Sequence, residues 1–246
     1  MKRVDSEKSS LQWFLRGAAG IISIPAFILM GAFVGFCSFS YETGVPMVQV
    51  AFMTGMMWAL PGQLILIGAM IAGASLPAAA IAVGLSSMRL MPMVTVLIPE
   101  IRSKSTPTWK LLFLSHFIAV TTWVYTMQNV RDIPENGRLP FFAGFGITMT
   151  CANVVLVAVL YGVIDRLPEM VAGALFFLTP IYFITSIWAS ARTPEVYFAM
   201  VAGLILGPIF HHLTPGYSIL VAGIAGGIVA FALERTIRKF RGADES

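Results

Sequence analysis

Charge is confined to short intervals of this chain, and that confinement limits its possible folds more than any other feature. No Asp, Glu, Lys or Arg occurs in 17–41, 45–88, 111–130, 139–164, 170–191 or 196–233. Each interval reaches or exceeds the ~20 residues a helix needs to span the hydrocarbon core of a bilayer. Soluble domains carry about 25% charged residues. This chain carries 11%, with 57% hydrophobic residues and a mean hydropathy of +0.83, which excludes an ordinary water-facing surface. Period-2 alternation is absent, which argues against a β-barrel. The expected fold is an all-α integral membrane protein, a polytopic helical bundle.

Hydropathy places segments near 17–39, 45–71, 76–99, 110–130, 139–164, 169–191, 195–211 and 215–233, within one transmembrane domain covering 1–246 and without a soluble domain. Turn-forming residues at Glu42–Pro46, Gly73–Pro77, Arg131–Arg138 and Thr214–Gly216 support the cuts. Met1 to Arg16 is too polar for the apolar region of a signal peptide, so the first span is expected to be retained. Gly31/Gly35, Gly203/Gly207 and Gly223/Gly227 have the four-residue spacing that lets membrane helices approach closely. Trp13, Trp109, Trp123 and Trp188 are expected in interfacial belts.

The net charge of +4 reflects basic tails and loops, which set membrane orientation. Lys2, Arg3, Lys8 and Arg16 lie at one end and Arg235, Arg238, Lys239 and Arg241 at the other, so both termini are expected in the cytoplasm. The loop holding Arg102, Lys104 and Lys110 also reads as cytoplasmic, yet three segments precede it and five follow, both odd numbers. A non-crossing, re-entrant or broken segment in each half resolves the conflict. The alternative is that this loop departs from the statistical rule.

Interruptions at membrane depth carry most of the functional information. Ala59-Leu60-Pro61-Gly62-Gln63 falls near the middle of the second segment, Thr179-Pro180 near the middle of the sixth, and Gly207-Pro208 in the seventh. A proline inside a helix frees the carbonyl four residues earlier, here those of Met57, Phe176 and Leu204. Secondary transporters place such breaks in corresponding positions of two repeats and bind substrate there. The pattern predicts broken helices, an inverted pseudo-repeat, and Pro61 and Pro180 facing one another. An ordinary kink is the alternative at each proline.

Arg89 stands ten residues before Pro99, about 15 Å along a helix and near the bilayer centre. A charge there costs about 2.5–3.5 kcal/mol on insertion scales, so it should face protein or a water-filled cavity. Ser86 and Ser87 precede it and Pro92 frees the Met88 carbonyl. Arg89 is the leading candidate for a carboxylate site; a structural or snorkelling arginine is the alternative. His116, Asn153 and Thr121-Thr122 could line a path or simply bond between helices. Glu100, Asp165 and Glu169 read as interfacial. Cys37 and Cys151 have no second ligand nearby in sequence, and neither a metal site nor a cofactor is expected. Protease, hydrolase and nucleotide-binding signatures are absent, so the reading is not an enzyme.

With these residues in view, the chain resembles the AzlC-type branched-chain amino acid exporter permeases, the large subunit of a two-part exporter. The likeness rests on Trp58-Ala-Leu-Pro-Gly-Gln63, Gly73-Ala-Ser-Leu-Pro77, Ser87-Met-Arg89 running on to Leu97-Ile-Pro99-Glu-Ile-Arg102, and Leu213-Thr-Pro-Gly216. Ser87 and Leu90 stand where the family has Asn and His. Ala119-Val120-Thr121 stands in place of a Thr-Asp-Glu element, and Leu175 in place of an Asp before Pro180. The resemblance implies a secondary exporter of branched-chain or related small amino acids in the cytoplasmic (inner) membrane. It also implies a small apolar (AzlD-like) membrane subunit of about four spans as partner, with a higher oligomer possible in principle. The expected substrate-binding residues are Arg89, Gln63, Pro61, Gly62, Ser87, Thr179 and Pro180. A non-transporting scaffold or assembly subunit is the alternative of a different class.

Overall fold

The structure, a computed structural model, describes residues 9–190, 194–214 and 218–244; the basic residues Lys2, Arg3 and Lys8 and the Pro215-Gly216 turn lie outside them. Among the described residues the chain is all-α, with twelve α-helices and no strand. In order these are α1 (Ser10–Ala18), α2 (Ile24–Glu42), α3 (Met47–Met56), α4 (Leu60–Ile71), α5 (Leu76–Met88), α6 (Met91–Ile101), α7 (Thr108–Ser115), α8 (Val120–Asn129), α9 (Glu135–Tyr161), α10 (Glu169–Ser190), α11 (Pro194–Leu213) and α12 (Ser218–Asp244).

Three of the described helical stretches, within α2, α9 and α11, are long and apolar enough to cross a membrane, or four if the broken pair α5/α6 counts as one span. Outward faces are apolar, with Phe52 65%, Leu112 74% and Val159 62% exposed. A bundle that meets hydrocarbon rather than water presents such a surface.

Short helices arise where the sequence supplies starts inside apolar stretches. Pro61 and Pro92 each take the second position of a new helix, α4 and α6, where a missing N–H costs nothing. Pro107 and Pro134 precede α7 and α9 as N-caps. Ser9 and Gln12 form a reciprocal capping box that starts α1 before the apolar stretch begins. Two turns use glycine in the left-handed region, Gly44 (φ 73°) after α2 and Gly73 (φ 64°) after α4.

The chain divides into two compact units: residues 1–63 with 85–179, and residues 64–84 with 180–246. In the first, α9 is the hub, packed by α1, α2, α3, α6 and α8. Its contact with α1 is made by glycines in both helices. A Cβ on Gly17 would overlap the Phe141 carbonyl, and one on Gly144 would overlap the Phe14 carbonyl. Trp13 lies with its ring against Gly137, Ile133 and Phe141 and is 2% exposed. Tyr125 of α8 stacks on Phe141 and Phe145, at 5.7 and 4.1 Å between ring centroids. A second core cluster gathers Leu97, Ile101, Leu111, Leu114 and Phe142, with Trp123 packed against it. Trp13 is therefore a core residue rather than a member of an interfacial belt; Trp123 is half-buried, and Trp109 and Trp188 are exposed. Arg138 donates to the carbonyls of Glu100 (3.0 Å) and Ile133 (3.1 Å) and pairs with the Glu100 carboxylate at 3.5 Å, closing one end of this unit.

In the second unit α11 and α12 pair. Of the expected glycine pairs, Gly203, Gly207, Gly223 and Gly227 would meet no described atom within 4 Å of an added Cβ, and the same holds for Gly31. The buried row of α12 is one residue off, at Ala222, Gly226 and Ala230, with Gly226 facing Ala202 and Gly203. Gly35 alone of the six lies at a close approach, against Thr179 and the Leu175 carbonyl. Spacing alone identifies a small-residue stripe but not which side of the helix it occupies. Neither Pro180 nor Pro208 breaks its helix: α10 and α11 run through them, and Pro180 is exposed.

Candidate functional site

Three of the apolar stretches in the first 130 residues are carried by pairs of half-helices rather than by single helices. The second breaks at Met57–Ala59, the third at Arg89-Leu90 and the fourth at His116–Ala119. Half-helices of 8 to 13 residues reach roughly 12–20 Å, less than a bilayer core each. Every break leaves backbone groups that need partners at a depth where water is scarce.

The first break meets that need with Gln63. Its side chain is fully buried; Nε2 donates to the Met57 carbonyl at 3.5 Å, the carbonyl freed by Pro61, and Oε1 lies 3.5 Å from the Thr54 hydroxyl. Thr54, also fully buried, donates to the Val50 carbonyl at 2.9 Å. Gly62 beside it is buried and donates its N–H to the Ala59 carbonyl at 3.0 Å. Trp58, within the break, stacks on Phe33 of α2 with ring centroids 5.8 Å apart.

The third break is built from Thr122. Its hydroxyl donates to the Phe117 carbonyl (2.6 Å) and accepts the Ala119 N–H (2.8 Å), which ends one half-helix and starts the next. His116, exposed at the end of α7, places Nε2 2.9 Å from the Gly55 carbonyl, an orphan acceptor in the last turn of α3. The first and third breaks are thus joined by one hydrogen bond. A pocket of about 660 Å³ opens beside the joint, with Gly55, Met56, His116, Phe117, Thr150 and Cys151 among its lining residues.

The residues expected from the sequence fall at three places on the fold. Pro61, Gly62 and Gln63 form the first break. Ser87 and Arg89, both exposed, form the second, where the Ser87 carbonyl accepts the Leu90 N–H at 2.9 Å. Thr179 is buried on α10 and donates to the Ala32 carbonyl of α2 at 3.0 Å, so it serves helix packing there. Pro180 follows it on the unbroken helix, and the side chains of Asp165 and Glu169 lie outside what the structure describes. Sequence reading overlooked the break at His116–Ala119, which holds no proline or glycine. Its signal was the polar residues that flank it, His116 before and Thr121-Thr122 after, within an apolar stretch.

Interrupted helices whose freed carbonyls are met by buried side chains, in a chain of long charge-free stretches, define a multi-pass all-α membrane protein. Residues 24–164, more than half of the chain and all of α2 to α9, match the family described as AzlC protein, and the chain belongs to that family. The family is associated with membrane transport. No curated protein and no solved structure matches the chain.

Proposed function

We propose that this chain is the larger subunit of a secondary transporter exporting branched-chain or related small amino acids across the cytoplasmic membrane. A small apolar membrane subunit is its partner. The observation that carries the reading is the joint between two broken helices, His116 on the Gly55 carbonyl with Gln63 buried beside it. Broken helices of this kind form binding sites in secondary transporters, because their unpaired backbone groups recognise polar substrate atoms. Family membership supports a transport role for the same region. Arg89, at the break between α5 and α6, meets the substrate carboxylate, with Ser87 beside it. Pro61, Gly62 and Gln63 supply the second polar surface.

Proteoliposomes loaded with radiolabelled leucine are expected to lose it only when this chain and its small partner are both present. Equal leakage from empty and protein-containing vesicles would leave the scaffold reading in its place. The basic tails put both termini in the cytoplasm. Alkaline phosphatase fused to either end should accordingly be inactive and green fluorescent protein bright; opposite results at the two ends would exclude this orientation.

A further inference from the structure

Four buried polar atoms have no hydrogen-bond partner among the described residues: the indole N–H groups of Trp58 and Trp123, the Thr126 hydroxyl and the side-chain carbonyl of Asn153. Trp123 and Thr126 lie on α8; Trp58 and Asn153 are the pair set close together by the packing of α2 on α9. Trp58 is 3% exposed and Asn153 0%. The Asn153 amide nitrogen is already engaged, donating to the Met149 carbonyl at 2.8 Å. What remains is one unsatisfied donor and one unsatisfied acceptor.

Their depth follows from the pairing of α2 with α9. Cys37 Sγ lies 3.6 Å from the Val157 carbonyl, and the rings of Tyr41 and Tyr161 are 5.3 Å apart. Both pairs share one offset in sequence, so the helices run parallel, and one turn earlier the same offset sets Phe33 level with Asn153. Phe33 carries the stacked indole of Trp58. The next residue of α9, Val154, faces Gly55, whose carbonyl holds His116. The donor, the acceptor and the joined breaks therefore occupy one layer of the first unit.

Leaving a buried donor or acceptor unpaired is costly, and this layer bears that cost twice, with opposite signs of hydrogen bonding. A zwitterion satisfies both, its carboxylate accepting from an N–H and its ammonium donating to a carbonyl. We infer that Trp58 and Asn153 form an occluded subsite for an α-amino acid, in which the indole N–H holds the carboxylate and the amide carbonyl holds the ammonium. The inference rests on the transport reading above and adds an interior station beyond the exposed Arg89. The zwitterion brings no net charge, so the station needs a hydrogen-bond partner at each charged end rather than a net countercharge.

The test is binding to the purified full chain, followed by calorimetry, with leucine, isoamylamine (amine without carboxylate) and 4-methylpentanoate (carboxylate without amine). Trp58→Phe keeps the stacked ring but removes the donor. It should weaken leucine roughly tenfold or more and leave isoamylamine unchanged. Asn153→Leu should weaken leucine similarly and leave 4-methylpentanoate unchanged. Trp123→Phe is the control. Trp123 also has a buried unpartnered indole N–H, but it packs against the Leu97–Phe142 cluster, so leucine binding should be unaltered. Thermal stability without ligand should stay level or rise in Trp58→Phe, since an orphan donor is removed. Asn153→Leu keeps the question open to measurement if Trp58→Phe does not fold. If the native chain binds leucine while both variants bind it with native affinity, water alone occupies these atoms and the subsite is wrong. If the native chain neither binds nor exports any amino acid, the transport reading itself fails and takes the subsite with it.

Discussion

Gly144→Leu is expected to prevent accumulation of folded protein in the membrane. The added side chain has no room: its first carbon would overlap the backbone carbonyl of Phe14, and backbone cannot swing aside as a flexible side chain can. Gly17 meets the Phe141 carbonyl in the same way from the other helix, so α1 and α9 would have to separate along their whole contact. Separation would also expose Trp13 and unseat its ring from Gly137. Overpacking a core costs about 1–3 kcal/mol when side chains can shift. Here the obstacle is backbone, and the loss should reach or exceed the upper end of that range. Membrane-inserted yield and a monodisperse size-exclusion peak are the readouts. Gly203→Leu, at a site with no described atom within 4 Å of the new Cβ, should match the native protein in both. A Gly144→Leu protein that accumulates and elutes normally would show that the α1–α9 crossing is not as close as described.

Arg89→Ala is expected to slow export by one to two orders of magnitude while the protein still accumulates. Arg89 sits at the junction of α5 and α6, roughly 20 Å along one helix from its start and 17 Å along the other from its end. Its side chain is exposed, which means its removal leaves no cavity. A charged hydrogen bond to a carboxylate contributes about 1.5–3 kcal/mol, so losing it should slow export by roughly 10- to 150-fold. Arg89→Lys keeps the charge but not the planar fork that grips both carboxylate oxygens, and should fall in between. Loss of protein in step with loss of activity would assign Arg89 to structure instead. Native export rates in Arg89→Ala would remove it from the substrate path.

The half-helices were readable where proline marks them. Pro61 announces a new helix start, and Gln63 follows at the distance from which it can reach the freed Met57 carbonyl. Pro92 likewise opens α6, although 76–99 reads from sequence as one helix, so the break at Arg89-Leu90 is a correction. Proline was a poor guide in the opposite sense at 180 and 208. A helix can lose one hydrogen bond and continue, and nothing local distinguishes that outcome from a break. The break at His116–Ala119 was hidden for a different reason: it depends on Thr122 capping and on an acceptor in α3, 61 residues earlier. The pairing of Trp58 with Asn153 is likewise tertiary, set by the register of α2 on α9. Glycine spacing was legible as a motif, but Gly17 and Gly144 lie in separate segments and only the fold makes them partners.

That last pair also governs the order in which this protein can be made. Trp13 and Gly17 are translated more than a hundred residues before the surfaces that receive them, Gly137 to Gly144. At about 5–20 residues per second the first helix waits roughly 6–25 s for its partner. Through that interval the indole of Trp13 and the bare face of Gly17 stay uncovered, and α1, at nine residues, is too short to span hydrocarbon by itself. α1 is thus made well before the surface that seats it, and the close glycine crossing forms only after most of the first unit has been translated.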